Sequence, residues 1–596
     1  MQTTNGAPYV FGYAYQPAGL LTETYPSTHV VTTGYDAAGR VQSGTGAATN
    51  YATGMTYAPH GALASASLGN LIAETWTYNP RLQPKSTAAT LNSASVMNLS
   101  YYFCTGATFS CSNNNGNLMQ QNIARSGVNV IQMYSYVDPM TGLPLDNRVM
   151  AVEECNDTVG CVANPGPAFD WSQTFAYDAV GNRAVTAAGT NGTGTVNPIW
   201  TPTLLSQFTL KNQFVRYDPV SMVTADLYDL AGNQTSVASS TSPAVAANTM
   251  MYDAENRMVT ADFGGTGYVY YAYGPDGRRV TKSTPGTTYV YDAMGQLAAE
   301  YTAAAPTYIG TMYLTGDMLG STRLVTNSLG TAINCYDYMP FGEDIPSGVG
   351  PRGSCYPTGV YPATPDVLSD KFTGKERDAE SGLDYFGARY LSSAQGWWTS
   401  PDAPFADQRP EDPQSWNMYA YVRNNPLTNT DPDGRNCFQG FSSCLSFIGG
   451  AIKGAVNAAT SGIANLPTTT VNLLIRPFTS YQFQTVFQPP LPANDSDERD
   501  GMESFNGAML AAPTSGEVEY VGRSNNLERR AGEHARDPQK SGLEFNVDKR
   551  TDSLDAQKGR EQQLYDQHSP PLNKVRPVSA TNPNAQKYDD AANQIP

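Results

Sequence analysis

Over roughly the first three hundred positions, apolar and polar residues follow a rough two-residue alternation, as in "TGYVYYAYG" (266–274) and "GTTYVYD" (286–292). That is the period of a strand with one buried face. Turn signals interrupt the runs. Tyr-Asp-x-x-Gly or a close variant recurs at Tyr35, Tyr177, Tyr228, Tyr252, Tyr273 and Tyr291, the last four spaced 24, 21 and 18 residues apart. A period near twenty suits a β-hairpin unit better than a helical repeat. The Asp accepts from the backbone two residues on, the Gly supplies φ > 0, and the Tyr packs its ring on the neighbouring strand while its hydroxyl stays wet. Stacking such hairpins side by side satisfies their open edges.

The pattern changes after residue 434. "CLSFIGGAIKGAVNAATSGIANLPTTTVNLLIRPF" (444–478) predicts a helix of small and aliphatic residues followed by a second apolar stretch, short of the roughly 20 mostly apolar residues a membrane span needs. A Pro-rich, then acidic linker covers 487–501. Beyond it the order is β-β-α-β-α: strands around 507–524, a helix in "NLERRAGEHARD", a strand in "LEFNVDKR", a helix capped by Asp552 or Ser553, and an extended exit in "PLNKVRP". The opening "MQTTNGAPYVFGYAYQ" has no basic or apolar leader and begins as though inside a repeat, so a longer chain is expected.

At 596 residues the chain requires several domains or one very large closed structure. Only 15% of residues are charged, and 37 are Tyr, a composition of turn-rich β structure. The net charge of −17 argues against a chain whose whole surface coats nucleic acid or anionic membrane. Residues 515–596 hold 12 Lys/Arg and 13 Asp/Glu, with His534 and His568, a charge density that marks a separate domain. Eight cysteines form four local couples, Cys104/Cys111, Cys155/Cys161, Cys335/Cys355 and Cys437/Cys444. None has zinc-site spacing. Short disulfides in an exported protein and reduced, half-buried cysteines remain the two readings.

The repeats resemble the tyrosine-aspartate (YD) repeats of the RHS family. Its core domain is resembled more specifically by "DMLGSTRLVTNSLGT", "YDYMPFGE", "KFTGKERDAESGLDYFGARYLSSAQGWWTSPD" and "SWNMYAYVRNNPLTNTDPDG", in that order up to Gly434. The resemblance implies a mainly β fold: a YD-repeat strand spiral over 1–309, a cocoon-like shell, closed by a core domain over 310–434. A helical segment and linker over 435–500 and a small α/β domain over 501–596 follow. It also implies that the chain is cut after its DPxG sequence by two carboxylates, one taking a proton from water and one donating to the peptide. Asp431, Asp402 and Gly434 are the candidates. This chain reads Gly396-Trp397-Trp398 where the family places Gly-Arg-aromatic, and Asp402-Ala403-Pro404 where it places Asp-Pro. The arginine that would orient a carboxylate is missing there.

The last domain resembles GIY-YIG nucleases. Tyr520-Val521-Gly522 corresponds to the YIG strand, Arg530 and His534 to one face of the first helix, Glu561 to the metal-binding glutamate and Asn573 to the late asparagine. Phosphodiester cleavage calls for a hard oxygen ligand such as Glu561 for Mg²⁺ or Mn²⁺. It also calls for a forked guanidinium such as Arg530 on the transition state and a proton acceptor such as Tyr520 or His534. Arg523, Asn573, Lys574 and Arg576 would contact nucleic acid. Met509 stands where the first family tyrosine is expected.

Together these resemblances imply a secreted or surface-displayed polymorphic toxin with an enclosed nuclease, acting on DNA ahead of RNA in a target-cell cytoplasm. A cognate immunity protein, a secretion apparatus or carrier, and a transient membrane contact through 444–478 are the further partners implied. The alternative is an adhesive surface protein with a non-cutting, nucleic-acid-binding tail.

Overall fold

The computed structural model describes residues 2–435 apart from short stretches, chiefly 157–168, 191–200, 238–247, 303–309 and 358–367, then 453–458, 470–475, 507–512, 520–524, 544–550 and most of 553–593. The chain divides into two compact units, Met1–Pro489 and Pro490–Pro596. The second begins inside the Pro-rich stretch rather than after it.

In the first unit, a 14-stranded antiparallel sheet runs in strict chain order from Gly12–Gln16 to Arg183–Thr190. A 13-stranded sheet runs from Leu227–Tyr228 to Ala332–Cys335, and four short strands between Glu376–Arg377 and Trp397–Trp398 make a third. Asp36 shows how the repeat makes its turn. One oxygen accepts from the N–H groups of Ala38 and Arg40 at 2.9 Å, and the other accepts from Arg40 Nε at 2.8 Å. Gly39, at φ +75°, completes it. In the Tyr252 copy Asn256 takes the same conformation at φ +61°, which Asn tolerates better than most residues.

The tyrosine hydroxyls are not left to water as the sequence suggests. Those of Tyr35, Tyr177, Tyr273 and Tyr291 donate to the carbonyls of Leu20, Val149, Met258 and Arg279 at 2.6–2.9 Å, one hairpin back. Each ring reaches a preceding segment, where an unpaired hydroxyl would cost about 1–3 kcal/mol.

Buried charge ties residues 310–400 to the repeats. Asp337 accepts from Arg125 and Arg323 at 2.7 Å and from Arg352 at 2.9 Å, and Arg352 forks onto Glu154 at 2.6 and 2.7 Å. Against the opposing effect of burial, these three guanidiniums hold the Asp337 carboxyl well below the usual carboxylate range. A second network centres on Arg279, which pairs with Asp378 at 2.6 Å and Glu376 at 2.7 Å and lies over the rings of Tyr385, Tyr289 and Tyr271. Cys104–Cys111 and Cys335–Cys355 are disulfides, and Cys155 is also disulfide-bonded, in line with the first of the two cysteine readings.

The helix expected within 444–478 is corrected. The described residues there are strands, Lys453–Ala458 and Thr470–Ile475, which pair with each other and sit between Leu297–Thr302 and Gly310–Gly316. The β-branched Thr-Val run of the second strand favours this state over a helix, and the small residues of the first suit a central strand flanked on both sides. Among the described residues no helix is long and apolar enough to cross a membrane.

In the second unit, Gly507–Ala512 is the middle strand between Tyr520–Ser524 and Glu544–Arg550. Helix α1, Leu554–His568, follows, with the Ser553 hydroxyl accepting from the Ala556 N–H at its start. Helix α2, Ala585–Ala592, was not foreseen. The helix expected in 526–537 lies outside the described residues.

Candidate functional site

The DPDG sequence turns back on itself through Asp431. Its Oδ1 accepts from the Gly434 N–H at 2.8 Å and from the Asp433 N–H at 3.3 Å. Gly434 has φ +76°, and a Cβ there would lie 2.9 Å from the Phe386 Cβ, so the turn requires glycine. Ahead of it, Val422, Arg423 and Asn424 are three consecutive left-handed residues. Asn424 is fixed by its carbonyl, which accepts from the Val149 N–H at 3.1 Å, and by its amide, which donates to the Gly181 carbonyl at 2.9 Å. A β-branched residue at φ +41° persists only where its surroundings over-determine it.

One guanidinium organises the site. Arg389 Nη2 donates to Asp402 Oδ2 at 3.0 Å, to Asp431 Oδ2 at 3.4 Å and to the Arg435 carbonyl at 3.4 Å. Its Nε donates to the Gly434 carbonyl and its Nη1 to the Met418 carbonyl at 3.3 Å. The group lies 4.3 Å from the centre of the Trp398 ring, which restricts it to one plane. Because both carboxylate oxygens bond the same nitrogen, at 3.0 and 3.4 Å, they are at most 6.4 Å apart.

The two acids have different surroundings. Asp431 is 2% exposed, and burial pushes its carboxyl up to about 6 despite the Arg389 charge, with Asp433 adding to the rise. Asp402 is more open and takes the shorter Arg389 contact. Burial that favours one protonated carboxyl beside one ion-paired carboxyl is the arrangement that separates a general acid from a general base. The carbonyls of residues 432–435 are all held: Pro432 by Lys375 Nζ, Asp433 by the Ala388 N–H at 3.0 Å, and Gly434 and Arg435 by Arg389. The turn is thus held beside the acids in one register.

All three predicted residues of this site therefore come together. The sequence reading missed Arg389 and Lys375. The arginine absent beside Trp397 is supplied by the neighbouring segment, within "FGARY" (386–390), and the lysine by "FTGKERD" (372–378). Both stretches lie in the motif-bearing core, but only the fold turns them toward Asp431.

In the second unit, Tyr520 and Arg523 lie on the edge strand, with Gly522 opposite Met509. Arg530, His534 and Lys574 lie outside the described residues. Glu561 is half-buried on α1. Asn573 takes a structural place: its carbonyl oxygen accepts from the Val521 N–H at 2.9 Å, and its amide donates to the Val521 carbonyl at 2.8 Å. Arg576 is exposed, donating to Asp566 at 2.9 Å and to the Val578 carbonyl at 3.1 Å. Among the described residues no three His, Cys, Asp or Glu gather as metal ligands. A single carboxylate suits a cation that keeps most of its waters and shares a substrate phosphate, so Glu561 fits Mg²⁺ or Mn²⁺ in that limited sense.

No family model matches the chain. Over 119 residues it is 34% identical to toxin subunit YenC2 of Yersinia entomophaga, covering 19% of this chain and 10% of that protein. Over 126 residues it is 32% identical to toxin subunit YenC1 of the same organism, covering 20% and 11%. Salivary gland surface protein 1 of Aedes aegypti is 30% identical over 146 residues, 24% of this chain and 4% of that protein. The chain thus spans about a tenth or less of the length of these relatives. Among solved structures it is similar to the TcdB2-TccC3-Cdc42 crystal structure (20% identity, TM-score 0.52, 72% of this chain and 22% of that one). It is also similar to the Photorhabdus luminescens Tc holotoxin pore carrying TccC3-D651A (19% identity, TM-score 0.50, 74% and 22%). The chain is therefore related to toxin-complex subunits and shares the fold of part of the TcdB2-TccC3 assembly.

Proposed function

We propose that this chain is the distal part of a toxin-complex or RHS-type container that cuts itself at the Arg435–Asn436 peptide bond and carries a metal-dependent nuclease in its last unit. The observation that carries the first part is Arg389, whose one Nη2 joins both carboxylates to the Arg435 carbonyl. In this reading the Asp402 carboxylate takes a proton from water as the water oxygen bonds to the Arg435 carbonyl carbon. Asp431 donates its proton to the carbonyl oxygen, which Arg389 stabilises as charge builds on it. On collapse the carbon–nitrogen bond breaks, and the Asn436 nitrogen leaves as an amine with the proton returned through the acid pair.

The payload rests on the charged composition of residues 515–596, the Tyr520-Val521-Gly522 edge strand and Glu561 on α1. The cation, held through Glu561, would supply charge stabilisation on the phosphate; Arg530 would bind the same phosphate, and Tyr520 or His534 would accept the proton of the attacking water. DNA is the preferred substrate over RNA, and an immunity protein would protect the producing cell.

Two assays test the two parts. The first is fragment formation by the full chain beside Asp431→Asn. A folded parent that stays whole, or an Asp431→Asn chain that still divides at the same bond, removes the self-cleavage reading. The second is nicking of plasmid DNA by the Pro490–Pro596 unit in Mg²⁺ or Mn²⁺, beside EDTA and Glu561→Ala. A folded unit that leaves both DNA and RNA intact removes the nuclease reading and favours a binding or adhesive protein.

A further inference from the structure

We infer that Lys375 and Asp433 are positioning residues of opposite sign that hold the DPDG turn, one from outside it and one from within, set the register of the cut peptide and fix the pH range in which the chain cuts itself. The inference rests on the self-cleavage reading above and extends it to two residues that reading does not use.

The geometry is specific. Lys375 follows the short helical turn Phe372–Gly374 and its N–H donates to the Phe372 carbonyl at 3.0 Å, which fixes the base of its side chain. From there Nζ passes over the Phe386 ring, 5.3 Å from its centre, and donates to the Pro432 carbonyl. Pro432 is the residue directly after Asp431, so this bond holds the Pro432–Asp433 peptide, next to the acid. On the other side, Asp433 Oδ1 accepts from the Arg435 N–H at 3.2 Å, which sets the orientation of the peptide entering Arg435. The Asp433 carbonyl accepts from the Ala388 N–H at 3.0 Å, one residue before Arg389. The two side chains therefore grip the turn before and after Gly434, one and four residues beyond the acid.

Their charges act on the acid in opposite directions. The groups facing Asp431 are Arg389, Asp402, Asp433, Lys375 and the Tyr421 phenol. Of these, Lys375 stabilises the ionised carboxyl and Asp433 opposes ionisation. Cutting needs Asp431 protonated and Asp402 ionised, so rate falls on the alkaline side as Asp431 loses its proton. Removing the lysine charge extends activity to higher pH; removing the Asp433 charge confines it to lower pH.

The test is a pulse of cell-free synthesis of the full chain, chased in buffers from pH 5 to 9, with fragment formation followed by gel. Lys375→Met is expected to slow the cut about tenfold through lost positioning and to move the alkaline limb up by about half a pH unit or more. Lys375→Arg restores the parent limb. Asp433→Asn moves the limb down. Identical limbs in all four chains overturn the inference, as does a Lys375→Met loss with an unmoved limb that arginine does not rescue. If Asp431→Asn, run alongside, is inactive while those limbs coincide, the self-cleavage reading survives and the role of Lys375 and Asp433 does not. A folded parent uncut at every pH overturns both.

Discussion

Replacing Arg389 by Leu separates the chemistry of the site from its contribution to the fold. The guanidinium is 7% exposed and holds two carboxylates and three backbone carbonyls. Leucine fills part of the volume but leaves Asp402 and Asp431 facing each other without the cation. Breaking a buried pair in this way costs about 3–5 kcal/mol. With about 2.1 cal/mol/K of unfolding entropy per residue, the 489 residues of Met1–Pro489 lose stability at about 1 kcal/mol per kelvin, so the thermal midpoint should fall by about 3–5 °C. A change that small leaves the unit folded at 25 °C. The rate, by contrast, loses a donor aimed at developing charge, a loss of about 10²–10³. Pulse-chase synthesis followed by gel reads the rate, and calorimetry reads the midpoint. Arg389→Lys keeps a charge without the fork and is expected to recover stability more fully than rate. A Leu variant that divides within about threefold of the parent rate while its midpoint falls as expected would refute the role given to Arg389.

The remaining predictions concern pH, the second unit and the repeats. Burial pushes Glu74 up to about 7 and Glu343 up to about 8 from 4.5. Folded-state values above the unfolded ones mean that their stabilising contribution is complete below pH 4.5 and is lost as pH rises through 7 to 8, by about 3–5 kcal/mol each. The first unit should therefore melt lower at pH 8.5 than at pH 5, and Glu74→Gln with Glu343→Gln should flatten that slope; an unchanged slope contradicts the assignment. Asn573→Ala removes both bonds to Val521 and should cost the second unit about 1–3 kcal/mol, at about 4–8 °C per kcal/mol in differential scanning. Tyr177→Phe, which loses only the bond to the Val149 carbonyl, should lower the first-unit midpoint by about 1 °C, and a drop as large as that of Arg389→Leu would mean the hydroxyl does more than pair one carbonyl.

The repeat was legible because its signal is local. Asp36, Asp178 and Asp253 close their turns on the residues two and four places on, as the spacing predicts. The destination of each Tyr hydroxyl was not legible, since the accepting carbonyl lies 12 to 28 residues back along the chain. Asp402 and Asp431, both held by Arg389, could be paired from the resemblance to the RHS core. Arg389 could not, because the expected position beside Trp397 is empty of arginine and only strand pairing between Tyr390–Ser392 and Trp397–Trp398 brings the substitute in. Within 444–478 the described residues, Lys453–Ala458 and Thr470–Ile475, are strands for a related reason. Small and aliphatic residues carry little preference of their own, and a place in a sheet decided between helix and strand. Asn573 was assigned to nucleic acid by its position in a motif, whereas both of its polar atoms are spent on the Val521 backbone.

The strict chain order of the 14-stranded sheet bears on how the protein is made. Each strand finds its partner in the segment just synthesised, so the sheet can grow behind the ribosome with short loop closures and little search. The buried arginine of that sheet, Arg125, and its buried glutamate, Glu154, nevertheless wait for partners at Asp337 and Arg352, about two hundred residues later. Until those arrive the growing sheet carries a guanidinium and a carboxylate without the ion-pair partners that accompany their burial. Asp402 and Asp431 are translated later still, so the ion pairs of the sheet can close before the two acids are brought together on Arg389.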